Sequence, residues 1–165
     1  MVANYFLVNR PLVLFGYGLT FFVMGLAIFL QSRRHSRLRL ARDLRWLAGF
    51  GVLHGVHEWG GLFIPIQAEY LPTPIIELIL AVQIALLGAS FACLVLFGAA
   101  ATEGRWGRLH WAGVGAIGLW GLSFWFTFYL FPTADEWLRA SDVWARYLLG
   151  LPGSLLEPAT PLYDI

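Results

Sequence analysis

The segment LHGVHEW, Leu53 to Trp59, brings two imidazoles, a carboxylate and an indole together. Side chains three and four positions apart share a helix face, so His54 stands beside both His57 and Glu58 on one stripe. Such a stripe can exchange protons, hydrogen-bond a polar ligand, or coordinate a divalent ion through His54, His57 and Glu58. His-x-x-His-Glu lacks the spacing of the zinc protease motif, which makes metal a weak signal. Haem would need a second axial ligand at the same depth. His110, the other histidine in an apolar segment, lies about 10 Å away in depth along the helix axes. Neither cofactor is favoured. An interhelical hydrogen-bond network that sets helix register accounts for the same residues without a ligand.

The surroundings of this cluster are apolar. Hydrophobic residues make up 59% of the 165-residue chain and charged residues 13%, and the mean hydropathy is +0.68. That balance lies outside the range of soluble domains and implies a bilayer as solvent. From Pro11 to Ser32 no residue is charged, which at about 1.5 Å per helical residue suffices to cross a hydrocarbon core of about 30 Å. Further spans are expected at 46–66, 75–99 and 109–130, the second interrupted by His54, His57 and Glu58. Pro74 suits the start of the third. Residues 136–156 have a polar first half and an apolar second half, too short for a full crossing. An interfacial, re-entrant or truncated helix is expected there. The fold class expected is all-α: one membrane domain over residues 1–165, a polytopic bundle of four spans and a partial fifth.

Six of the eleven basic residues, Arg33, Arg34, Arg37, Arg39, Arg42 and Arg45, crowd between the first two spans. Arg105 and Arg108 follow the third span, whereas the N-terminal tail has Arg10 alone. The positive-inside rule then puts the arginine-rich and third loops in the cytoplasm and the N-terminus outside, as a multi-pass protein of a bacterial inner membrane. A loop bracketed by spans needs no nucleic acid to explain its charge. The first apolar run is too long for a signal peptide and its basic flank of arginines follows it instead of preceding it, so it reads as retained.

An ionised side chain at mid-bilayer costs about 3 kcal/mol even on insertion scales. The cluster must therefore face the bundle interior. Glu77, near the outer end of the third span, is at a depth from which it could meet His57 and Glu58. Gly51 and Gly55 form a GxxxG pair that lets helix backbones approach, within one chain or in a homodimer. Trp46, Trp59, Trp106, Trp111, Trp137 and Trp144 fall mostly near span ends, as an aromatic belt does. Cys93 lies in an apolar run and reads as a small core residue. No GxSxG, P-loop or dinucleotide fingerprint is present, and no enzymatic activity is expected.

FGYGLTFFVMGLAIFLQSRR followed by SRLRLARDLRWLAGFGVLHGVHEW resembles the N-terminal multi-span sensory region that precedes histidine-kinase and diguanylate-cyclase modules in many bacteria. The resemblance rests on residues 15–59, with an LHG-x-x-EW-like signature in the second span. It implies a signal-input role in two-component-type signal transduction, with His54, Glu58 and Trp59 in the signature and a cytoplasmic kinase or cyclase as partner. That family continues into its output module, whereas EPATPLYDI after Leu156 turns polar. A structural or assembly subunit of a respiratory or photosynthetic complex, or a haem- or metal-binding membrane anchor, remains the alternative. The orientation is testable with reporter fusions: one joined after Arg37 is expected in the cytoplasm and one after Tyr70 outside, and the reverse pattern would refute it.

Overall fold

The computed structural model describes residues 8–34, 39–101, 106–130 and 133–151. All regular structure among them is helical: α1 (Arg10–Arg34), α2 (Arg39–Gln67), α3 (Thr73–Ala101), α4 (Trp106–Leu130) and α5 (Ala134–Ala145), which runs on into a π-helical turn, Arg146–Gly150. Two stretches, Arg10–Ser32 in α1 and Thr73–Ala100 in α3, are long and apolar enough to cross a membrane. The other two expected spans are also helices, of 29 and 25 residues.

The arginine-rich loop is shorter than expected. Arg33 and Arg34 close α1, while Arg39, Arg42 and Arg45 lie in the first turns of α2. Arg37 and His35 lie outside the described residues. Arginine is a good helix former and no glycine or proline interrupts residues 32–45, so the helices persist until the chain must turn. At the other end of the chain, Thr133 caps α5: its hydroxyl accepts from the Glu136 amide at 3.4 Å, and Glu136 is the third residue of the helix, as in a Thr-x-x-Glu box.

α1 and α2 form an antiparallel pair closed by glycine. A Cβ on Gly55 would fall 2.6 Å from the Gly18 carbonyl oxygen, and one on Gly51 would fall 2.8 Å from Gly25 Cα. Only hydrogen fits there, and the two backbones touch over two turns. α3 runs antiparallel to α2, with His57 opposite Gln83, His54 opposite Ser90 and Gly49 opposite Cys93. α4 lays the Trp120 ring on Gly88 of α3. α5 returns along α4, where the Trp137 ring lies tilted against Phe124 and donates its Nε1–H to the Phe124 carbonyl at 3.3 Å. Through the π turn the chain reaches α3 again, with Gly150 against Phe91.

Many large apolar side chains face outward, and a few polar ones lie in the interior beside the apolar core. Leu12, Leu78, Leu122, Phe126 and Leu130 are all more than 60% exposed, whereas His54, His57, Ser90 and Ser141 are buried. Little of the apolar surface is covered by protein.

Replacing Gly55 with leucine should overpack the α1–α2 contact and destabilise the fold by about 1–3 kcal/mol, read as a lower thermal midpoint in detergent. Gly16→Ala, at a site with nothing within 4 Å, should leave the midpoint unchanged or raise it.

Candidate functional site

His54 lies on the buried face of α2, its ring 4.8 Å from that of Phe21, 5.1 Å from Phe50 and 5.6 Å from Phe91. Three helices thus enclose one imidazole. Its Nδ1 is 3.2 Å from the Ser90 hydroxyl of α3, and that hydroxyl donates to the Leu87 carbonyl at 2.7 Å. The other ring nitrogen, Nε2, faces Glu58 Oε1 at 3.5 Å, one turn along the same helix.

His57 locks α2 to α3 in a reciprocal way. Its Nδ1 donates to the Gln83 backbone carbonyl at 2.9 Å, and the Gln83 side-chain amide donates back to the His57 carbonyl at 3.0 Å. A carbonyl can only accept, so the proton on Nδ1 is fixed by geometry. Gly60 makes room for the Gln83 side chain.

Beyond this lock lies a cleft of about 570 Å³ between α2–α3 and α5. His57, Glu58 and Gln83 line one wall, and Arg139, Asp142 and Arg146 the other, over an apolar floor that includes Leu80 and Ile84. Arg146 Nε and Nη2 grip the two Asp142 oxygens at 3.0 and 3.2 Å. Such a bidentate pair fixes the guanidinium plane as well as its charge. Arg146 is also within electrostatic reach of Glu58 and of His54. It opens the π turn, and single wide turns of this kind recur at functional sites.

Two expectations are corrected. Glu77 does not join the cluster: it is exposed near the start of α3, does not line the cleft, and pairs with neither His57 nor Glu58. Antiparallel packing sets Gln83, nearly two turns further along, opposite His57 instead. His54, His57 and Glu58 do not gather as metal ligands, and among the described residues no group of three His, Cys, Asp or Glu side chains could hold an ion. The haem alternative turned on His110, whose side chain is outside the described set.

Trp59 sits on the opposite side of α2 from the cleft. It packs on Phe15 and Phe22 of α1 and donates its indole N–H to the Phe15 carbonyl at 3.2 Å. Gly51 and Gly55 line the same α1 contact. Ser90, Gln83, Asp142 and Arg146 were not singled out from sequence as members of the site. Gln83 and Ser90 carried a usable signal, as polar residues within the apolar run of α3. Asp142 and Arg146 carried another, the i,i+4 spacing of an ion pair.

Comparison with protein-family models, curated proteins and solved structures found no match for this chain.

Ser90→Ala removes the acceptor of a buried imidazole N–H and should destabilise the protein by about 1–3 kcal/mol. Ser123→Ala, which loses only a bond to the Trp120 carbonyl of its own helix, should change the thermal midpoint little. Equal midpoints for the two variants would argue against the His54–Ser90 bond.

Proposed function

We propose that this chain is a membrane-embedded signal-input module that perceives a ligand, proton or membrane-associated cue and biases a cytoplasmic partner of the kinase or cyclase class. In this reading α1 to α4 all span a bacterial inner membrane, with the N-terminus outside and Arg33, Arg34, Arg37, Arg39, Arg42 and Arg45 at the cytoplasmic face. α5 and its π turn lie as an interfacial or re-entrant element. Support for four spans comes from the apolar outer faces and from the burial of polar groups inside, because lipid does not solvate them.

One observation carries the functional reading: the buried His54–Glu58 pair opens onto a cleft whose far wall belongs to a different element, bearing Arg146 and Asp142. α5 and the π turn pack on α3 and α4, and the cleft separates them from α2. An event at Glu58 can therefore alter how α5 sits against the rest of the bundle. Signal input needs such an element, one that a local change in charge can displace.

A structural or assembly subunit of a larger membrane complex is the second reading. The exposed aromatic face of α4, with Trp125 and Phe126, favours it.

The sensory reading is tested with spin labels at residues 61 and 143, on opposite walls of the cleft, in protein reconstituted into bilayers. The label separation should change across a screen of pH and lipid-soluble compounds from native membranes. That response should vanish in His54→Ala and Glu58→Gln. If both variants fold and respond like the parent, the site assignment fails; stable co-purification with a larger complex in mild detergent would favour the second reading.

A further inference from the structure

We infer that the cleft between α2–α3 and α5 holds the headgroup of an aminophospholipid, with its phosphate on Arg146 and its primary ammonium on Glu58. The inference deepens the sensory reading, on which it rests, by naming the chemical class of ligand this site takes.

The wall formed by α5 and the π turn supplies unspent donors. A guanidinium carries five N–H groups in a planar fork, and Asp142 takes one at Nε and one at Nη2, at 3.0 and 3.2 Å. That grip holds the fork in one plane, and the other N–H groups of Arg146 have no acceptor among the described residues. Arg139 adds a second cation to the same wall. An oriented guanidinium with open N–H groups beside another cation suits a phosphate, which accepts through several oxygens at once.

The facing wall lacks a donor. The Glu58 side chain is only 15% exposed, and the ion-pair contact it makes among the described residues, with His54 Nε2 at 3.5 Å, forms no hydrogen bond. A carboxyl group has an acceptor oxygen whether or not it is ionised, and an acceptor so withdrawn from water calls for a donor. His57 Nδ1 is not that donor, because it is given to the Gln83 carbonyl at 2.9 Å. A primary ammonium brings its N–H groups to this spot.

The ligand must therefore accept at one end and donate at the other. A simple anion in the cleft would meet Glu58 and Asp142, and a simple cation would meet Arg139 and Arg146. A zwitterion with phosphate and ammonium at its two ends matches both walls. Choline fits poorly: quaternary ammonium groups are held in aromatic cages, and among the described residues no Phe, Tyr or Trp lines this cleft. The volume of about 570 Å³ is that of an ordinary small-molecule site. Leu80, Ile84, Leu138 and Val143 supply an apolar floor for the start of an acyl chain, and exposed Gly61 and Val143 leave the rim open. In a bilayer such a headgroup arrives already tethered to a chain of that kind.

The test uses the full chain in mixed micelles holding equal amounts of phosphatidylethanolamine, phosphatidylcholine and phosphatidylglycerol, with retained lipid counted by native mass spectrometry. One phosphatidylethanolamine per chain should be retained with about a tenfold preference over the other two, the worth of one charge-assisted hydrogen bond. Glu58→Gln and Arg146→Gln should each abolish most of that preference, whereas Glu77→Gln, outside the cleft, should keep it. Solid-state NMR gives a second reading on the parent protein alone: the phosphorus of the bound lipid should dephase an arginine side-chain nitrogen. Equal retention of the three lipids, no dephasing, or a preference untouched by both variants in folded protein would each overturn the proposal. So would displacement by soluble glycerophosphoethanolamine at equal concentration, which would identify a free phosphoamine as the ligand. Selective lipid binding with no change in spin-label separation between bilayers with and without that lipid would sink the sensory reading alone. A label response to some other cue, with no phosphatidylethanolamine preference, would sink only this one.

Discussion

Ionisable side chains inside an apolar bundle can persist only when each finds a partner of matching donor or acceptor character, because no water is at hand to make up the difference. His54 is the residue on which this constraint bears hardest. Both of its ring nitrogens face a defined partner on a defined atom, one on α3 and one a turn away on α2. The register of α2 against α3 is therefore set by hydrogen bonds of known polarity as well as by shape. Sliding either helix by one residue would strand His54, His57 and Gln83 together.

The glycine contact on the opposite side of α2 complements this arrangement. Where Gly18 and Gly25 meet Gly55 and Gly51, the backbones touch directly, and the indole of Trp59 reaches across to the Phe15 carbonyl. α1 and α2 thus pack backbone to backbone, and α2 is hydrogen-bonded along its other face to α3. α4 and α5 attach more loosely, largely through aromatic rings such as Trp120, Phe124 and Trp137. The division between a tight three-helix unit and a looser pair runs along the polar cleft.

Much of the local chemistry was legible in the sequence. The i,i+4 spacing of His54 and Glu58 places them on one stripe whatever the tertiary structure, and the structure turns that stripe toward the interior. The helical class and the positions of the long apolar runs follow from composition and periodicity alone. What the sequence left open were relations between helices. Depth counted along a span pointed to Glu77 as the partner of His57, but the opposing residue depends on how the α2–α3 connection turns, and packing selects Gln83. The arginine segment carries charge like a loop yet has the intrinsic preference of a helix. Asp142 and Arg146 were not read as part of the site because half of their helix is polar, and an i,i+4 ion pair there looks like any solvated surface pair.

The π turn at Arg146–Gly150 fits one more residue into its turn than an α-helix would. A helix that takes up or gives back such a residue changes its phase, since each α-helical residue accounts for about 100° of rotation and about 1.5 Å of rise. Relaxing this one wide turn would rotate Arg146 and α5 relative to Leu149 and Gly150 by about a quarter turn about the helix axis. A rotation of that kind demands little room in a crowded bundle, and its pivot would be the side chain that Asp142 already grips.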